Sequence, residues 1–301
     1  AAFRARKALA EQVLSDIEAG KSLTILTGSV GSGKSTLLSH IAAQLQSRGW
    51  DTVSLFSNLT AQTGTATDLQ ALIISYREQA LGPDAPQADS TAQNLAGTPL
   101  EQLQTLVDTQ VQKNTQEAKQ RQQRLEQLCT LYGKSGRKLV ILIDAIDQLF
   151  PDESRDDLVF LPTVLSGNVR YVMTCLPQTS VKGYDTITIP PIDDRDKEQV
   201  IRGILEFHNR ELSPAVLHAM LALPASHNPL YLSFLVQRLM MMNRQDFNAI
   251  RSQGDGMDAI TRQQLHVLKS CPDTLEAMSA ELMDTAAERI GSAMVPQALT
   301  Y

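Results

Sequence analysis

Cysteine is scarce in this chain of 301 residues, which has only Cys129, Cys175 and Cys271. Thiols so few and so scattered exclude a disulfide framework and a zinc site. A reducing, cytoplasmic setting is therefore expected. Long apolar runs are missing as well. The longest clean one, Leu139–Ile143, falls far short of the ~20 residues that a membrane span requires, so no membrane partner is expected. Arg4, Arg6 and Lys7 are followed by Glu11, Asp16 and Glu18 with no apolar stretch between them, so no signal peptide is expected in these residues. Nor is positive charge in excess: 27 Lys+Arg stand against 33 Asp+Glu, a formal net charge of −6. That balance argues against broad, sequence-independent nucleic-acid binding, which needs clustered Lys and Arg, although a local basic groove would be compatible with it.

What is present is an ordinary globular composition, 43% hydrophobic and 20% charged. The length suggests about two domains at roughly 150 residues each. The first residue is Ala1, and helical patterning continues to Tyr301 without a cap. The sequence is accordingly expected to be part of a longer protein.

Apolar residues at Leu9, Val13, Leu14 and Ile17 have helix spacing, and Gly20 ends that helix. Residues 22–27 alternate and are β-prone. They run into Gly28-Ser-Val-Gly-Ser-Gly33, after which Lys34 opens a helix with Leu37, Leu38, Ile41, Ala42 and Leu45 on one face. Val53–Phe56 predicts a second strand, giving the strand–loop–helix–strand start of a parallel sheet. Helix is predicted over Asp68–Leu81, an exposed loop over Gly82–Gly97, and a long helix from Leu100. The glutamine-rich middle of that helix, Gln112–Arg124, reads as a solvated projection, with a partner-binding arm as the alternative. Leu139–Ile143 reads as a strand buried on both faces. Val169–Thr174 and Thr186–Ile189 supply two more strands. After Pro190-Pro191 only helices are predicted, at Asp196–Leu212, Pro214–Leu223, Leu230–Met242 and beyond Asp258.

Gly28-x-x-x-x-Gly33-Lys34-Ser35 matches the phosphate-binding loop. Its glycines allow backbone angles that turn successive N–H groups inward around phosphates, and the following helix adds its positive end. The contacts are expected from Gly28, Ser29, Val30, Gly31, Ser32, Gly33, Lys34, Ser35 and Thr36. Lys34 would reach the β and γ phosphates, and the Ser35 hydroxyl would ligate Mg²⁺. The sequence has no Asn-Lys-x-Asp, the guanine-reading motif, so ATP and ADP are favoured over guanine nucleotides.

The second constellation is Asp144-Ala-Ile-Asp147-Gln148, directly after the apolar strand. A carboxylate ending a buried parallel strand lies at the carboxyl edge of the sheet, where ligands of open α/β folds bind. Asp144 is thereby placed to hold Mg²⁺, and Asp147 to orient the attacking water. The plainer alternatives are a helix N-cap for Asp144 and a cap or surface charge for Asp147.

A phosphate loop followed about a hundred residues later by a strand ending Asp-Ala-hydrophobic-Asp resembles the STAND NTPases, regulatory ATPases that include NACHT and NB-ARC proteins. The resemblance is strongest to the telomerase-associated and nephrocystin-like branch and to bacterial antiviral relatives. Phe3-Arg-Ala-Arg6 is similar to that family's Phe-x-Gly-Arg motif, with Ala5 in place of Gly. Asn168–Thr174 resembles its sensor strand. His227-Asn228-Pro229 resembles its Gly-x-Pro motif, with His227 in place of Gly. The resemblance implies that Arg6 and Pro229 contact the nucleotide, Pro229 near the base. Pro229 would equally serve to start a helix. Two departures bear on hydrolysis: Gln148 stands where many members have an acid, and Thr174-Cys175-Leu176-Pro177 lacks the sensor arginine.

The resulting expectation is an α/β P-loop NTPase domain with a parallel sheet over 1–190 and an all-helical lid over 191–245. The start of a further helical, winged-helix-like domain would follow over 246–301. By resemblance it would be a slowly hydrolysing ATP switch that forms homo-oligomers when a protein trigger activates it, in signal transduction such as antiviral defence or innate immunity. The rivals are an AAA+ ring motor, for which Arg155 or Arg170 would act as the arginine finger, and a small-molecule kinase.

Overall fold

A computed structural model of the chain describes residues 6–56, 123, 126–127, 130, 132–148, 168–179, 184–241, 248, 250 and 257–290. The helix predicted at 68–81, the loop at 82–97, residues 100–122 of the predicted long helix with most of its glutamine-rich middle, Arg155, Met242 and the boundary at 246 lie outside the described residues, whereas residues 123, 126–127, 130 and 132–134 of that predicted helix are described and helical.

The described residues form two compact units, one drawn from Gln12–Gly28 and Leu38–Thr188, the other from Ala1–Glu11, Ser29–Leu37 and Ile189–Tyr301. The first is built on a parallel five-stranded sheet: β1 (Leu23–Thr27), β2 (Asp51–Phe56), β3 (Leu139–Asp144), β4 (Val169–Cys175) and β5 (Thr186–Thr188). The strand order is β2-β3-β4-β1-β5. Every residue of β3 and β4 is buried, as strands covered on both faces must be. Register fixes the edge that matters: Phe56 pairs with Asp144, and Thr27 pairs with both Cys175 and Thr188.

Helix α1 (Lys7–Glu18) precedes the sheet and α2 (Lys34–Ser47) follows the glycine-rich loop. The five α2 residues that the periodicity selects, Leu37, Leu38, Ile41, Ala42 and Leu45, are all buried. Gly20 and Gly49 take positive φ just beyond α1 and α2, the left-handed exit that glycine permits.

The second unit holds α3 (Asp194–Phe207), α4 (Pro214–Leu221), α5 (Pro229–Met240), α6 (Met257–Ser270) and α7 (Leu275–Ile290). Helix α3 starts two residues before the predicted Asp196, because Asp193 caps it by accepting from the Asp196 N–H at 2.7 Å. Ser213 and Asn228 cap α4 and α5, each before a proline at the first helical position. Ile201, Val216, Met220, Tyr231, Leu235 and Met278 lie in one buried cluster fed by α3, α4, α5 and α7, with Val267 and Leu268 from α6. Burying side chains of this size contributes about 1.5–3 kcal/mol each. No described helix is long and apolar enough to cross a membrane.

Candidate functional site

Three strand ends share the carboxyl edge of the sheet. Asp144 closes β3 and is buried. The next residue, Ala145, has φ +52°, a left-handed conformation that an L side chain adopts only when its surroundings hold it there. Thr174 on β4 supplies that hold. Its hydroxyl donates to Asp144 Oδ1 and accepts from the Ala145 N–H at 2.9 Å. Asp147 follows in a short 3₁₀ turn, Ile146–Gln148, and accepts from the Leu176 N–H at 3.1 Å. Both carboxylates are therefore tied to the end of β4, which separates β1 from β3 in the sheet. On its other side, β4 receives the Gly28 N–H on the Cys175 carbonyl at 3.2 Å, fixing where the loop departs.

Within the second unit, the loop turns through Gly31 and Gly33, at φ +73° and +88°. Lys34 donates from Nζ to the Ser29 carbonyl at 3.0 Å, and Ser35 and Thr36 are exposed in the first turn of α2. Three consecutive loop carbonyls are engaged. Asn228 Nδ2 donates to the Val30 carbonyl at 2.8 Å, the Leu230 N–H to Gly31 at 3.3 Å, and Arg6 Nη1 to Ser32. Arg6 also donates from Nη2 to Pro190 at 2.7 Å and from its backbone N–H to Asp196 Oδ2 at 2.9 Å. Burial pulls the Arg6 guanidinium below its usual pKa range, and Asp196 acts in the opposite sense.

Beside this loop is a cavity of about 260 Å³, and Arg6, Ser29, Ser32, Pro190, His227 and Asn228 contribute to its lining. Two polar atoms here are buried without a hydrogen-bond partner, Ser32 Oγ and Arg6 Nε. Unsatisfied buried donors are costly, so groups of this kind mark where a polar ligand fits. Pro229 is at the first position of α5 and is not among the lining residues, whereas its predecessors His227 and Asn228 are. His227 is itself held, with Nδ1 3.1 Å from the Ile192 carbonyl and Nε2 3.5 Å from Lys197 Nζ. Arg170 is 8% exposed and donates to the Ile17 and Val169 carbonyls, so it binds the end of α1 and is not offered to a neighbouring subunit.

Of the residues that sequence reasoning selected, Gly31, Gly33 and Lys34 lie at the turn into α2, and Asp144 and Asp147 lie at and just beyond the end of β3. That reasoning did not find Thr174 as the residue holding Asp144, nor Asp196 on the Arg6 backbone. It named Asn228 only within the His227-Asn228-Pro229 resemblance, neither as a cap nor as a contact to the loop. An Asn directly before a helix-starting Pro is nonetheless a cap signal.

The family model described as Nephrocystin 3, N-terminal, matches residues 8–175, more than half of the chain. The chain belongs to the nephrocystin 3 N-terminal family. In this family member the match begins in α1 and ends with β4, so it takes in the phosphate loop and the Asp144–Asp147 turn. A TPR repeat-containing protein of Dictyostelium discoideum is 25% identical over 113 residues, covering 36% of this chain and 7% of that protein. The matched stretch is thus a small part of that relative. Among solved structures, the Aeropyrum pernix ORC2 protein, in ADPNP–ADP complexes, aligns with a TM-score of 0.50 at 12% identity over 97% of this chain and 77% of its own. Cdc6p from Pyrobaculum aerophilum aligns with a TM-score of 0.48 at 10% identity over 96% of this chain and 87% of its own. At 12% identity the likeness to the ORC2 protein speaks for the fold alone, an α/β P-loop NTPase fold with a parallel sheet.

Proposed function

We propose that this nephrocystin 3 N-terminal chain is the nucleotide-binding core of a regulatory ATPase of the STAND class. The observations that support the reading are the Gly28–Ser35 sequence pattern directly after β1 and, in the sheet unit, Asp144 and Asp147 anchored to the end of β4, the strand beside β1. Lys34 supplies the side-chain countercharge for the β and γ phosphates of ATP, and the N–H groups of the glycine-rich loop supply the rest. The unpartnered Ser32 hydroxyl and Arg6 Nε supply further donors beside the loop. Mg²⁺ is a hard cation that takes oxygen ligands, and the Ser35 hydroxyl and the Asp144 carboxylate would each supply one. When bound, it would neutralise charge on the phosphates. Asp147 would orient the water that attacks the γ phosphorus, yielding ADP and inorganic phosphate. With Gln148 following in place of a second acid, slow hydrolysis is the expected regime.

The helical segment 191–245 would act as a lid and 246–301 as the start of a further helical domain. ATP and ADP would favour different lid arrangements through the contacts of the γ phosphate, which is the physical basis of a switch. One arrangement would permit self-assembly in response to a protein trigger, in a cytoplasmic signalling role such as antiviral defence or innate immunity. The TPR repeats named in the Dictyostelium relative support a repeat-containing sensing region elsewhere in the protein. Sedimentation of the chain with ADP and with a non-hydrolysable ATP analogue, alongside steady-state phosphate release, tests this. Slow turnover with assembly only in the ATP state is expected. Continuous turnover without nucleotide-gated assembly would favour a ring motor instead.

A further inference from the structure

Asn228 makes two sets of hydrogen bonds with opposite ends of one amide. Its Oδ1 accepts from the Leu230 and Tyr231 N–H groups at 2.9 and 3.3 Å, capping α5, while Nδ2 donates to the Val30 carbonyl at 2.8 Å. Only this orientation of the amide satisfies both, since the helix offers donors and the loop offers an acceptor. The neighbouring Leu230 N–H also reaches the Gly31 carbonyl, so the first turn of α5 and the phosphate loop are joined through two successive peptides.

The close approach needs Gly31. A Cβ at that position would stand 2.6 Å from Asn228 Oδ1 and 2.8 Å from Leu230 Cβ, and the residue has φ +73° besides. A glycine that the phosphate-loop pattern leaves free to vary is thus required by α5.

The consequence lies in the planarity of the peptide. A trans peptide directs its C=O and the following N–H in opposite senses. With the Val30 carbonyl drawn to Asn228 and the Ser32 carbonyl drawn to Arg6, the N–H groups of Gly31 and Gly33 are directed away from those two side chains. The N–H of Ser32, between them, donates to Ser29 within the loop at 3.2 Å.

We propose that Asn228 is a positioning residue that sets the direction of the loop N–H groups and thereby couples the start of α5 to occupancy of the phosphate loop. The inference rests on the reading of that loop as a nucleotide site. Binding that orders the loop strengthens the Asn228 contact and, by reciprocity, a firmly capped α5 strengthens binding. The contact made by the helical segment is then the asparagine amide, one residue before the proline that resemblance selected.

The cap and the clamp separate by substitution. Asn228→Asp and Asn228→Ser both retain a good N-cap acceptor. Asp replaces the donor with an acceptor facing the Val30 carbonyl, and Ser is too short to span to it and adds no charge. Binding of a fluorescent ATP analogue to the chain is measured for wild type, both variants and Lys34→Ala, together with thermal unfolding midpoints and amide exchange in the first turn of α5. Both Asn228 variants are expected to unfold near the wild-type temperature yet bind about three- to ten-fold more weakly, the loss of one hydrogen bond. The analogue should slow exchange at Tyr231 and Leu232 in wild type and not in Asn228→Ser. Wild-type affinity in both variants, with Lys34→Ala impaired, would overturn the clamp while leaving the nucleotide site standing. Wild-type affinity in Lys34→Ala would remove the nucleotide site itself, and the clamp with it.

Discussion

Thr174 donates its hydroxyl hydrogen to Asp144 across adjacent strands and accepts the N–H of the next residue, Ala145, with the same oxygen. One side chain thereby fixes both the carboxylate and the left-handed turn behind it. Thr174, at the end of the strand that the STAND resemblance matches to a sensor strand, thus orients the proposed magnesium-binding acid.

Replacing Thr174 tests that arrangement. Thr174→Val keeps the shape and removes the hydroxyl, so a buried carboxylate oxygen and a half-buried N–H each lose one partner, a loss of about 1–3 kcal/mol. We expect a lower melting temperature and a fall in kcat larger than any rise in KM for ATP. Thr174→Ser should recover most of both. Stopped phosphate release and calorimetry read the two effects, and a Val variant with wild-type turnover would show that Asp144 needs no such support.

Arg6 makes a second separable contribution. Its guanidinium spans the Ser32 and Pro190 carbonyls, which a single ammonium cannot do in the same geometry. Arg6→Lys should therefore behave much like Arg6→Ala, each weakening ATP binding by about ten-fold if one to two hydrogen bonds of this kind are lost. Rescue by lysine would mean that charge alone matters at this position. Titration with the fluorescent analogue distinguishes the outcomes.

Alkaline pH should act on the helical unit. The Tyr231 hydroxyl donates to the Pro272 carbonyl at 2.5 Å, and burial, with smaller effects from Cys271, Asp273 and Glu281, pushes its pKa up to about 12 from 10.0. Burial and then Glu281 push the Cys271 thiol up to about 11 from 9.0, against a lowering by Arg238. In both cases the unfolded state loses its proton first, so the stabilisation is complete below the unfolded pKa and is lost as pH rises through the folded one. Guanidinium unfolding followed by circular dichroism should show a midpoint that is steady to about pH 9 and declines between about pH 9 and 12. Tyr231→Phe should flatten the upper part of that decline. An unchanged slope in the variant would assign the decline to other groups.

Local patterns carried much of the fold. The apolar run 139–143 marked a strand that proves buried on every residue, and the spacing of Leu37, Leu38, Ile41, Ala42 and Leu45 marked the buried face of α2. The start of α3 was misplaced by two residues because its apolar periodicity begins after its cap, although Asp193 carries the signal for that cap. Strand order was not legible, since which strand lies between β1 and β3 depends on pairing across more than a hundred residues. The site divided along the same line. The loop and Asp144 are contiguous motifs at strand ends, which sequence shows. Arg6 meets Ser32, Pro190 and Asp196, and Asn228 meets Val30 198 residues away, and no local spacing reports contacts of that range.

The most direct measurement is calorimetric titration of the chain with ATP in the presence of Mg²⁺, compared with Lys34→Ala. Removing the ammonium leaves the β and γ phosphates to backbone N–H groups and the metal alone. Wild type should bind saturably at one site, and the variant should bind at least about a hundred-fold more weakly, the loss of a charge-assisted contact of roughly 3 kcal/mol. Equal affinities, or no binding by wild type, would contradict the assignment of the Gly28–Ser35 loop as a nucleotide site.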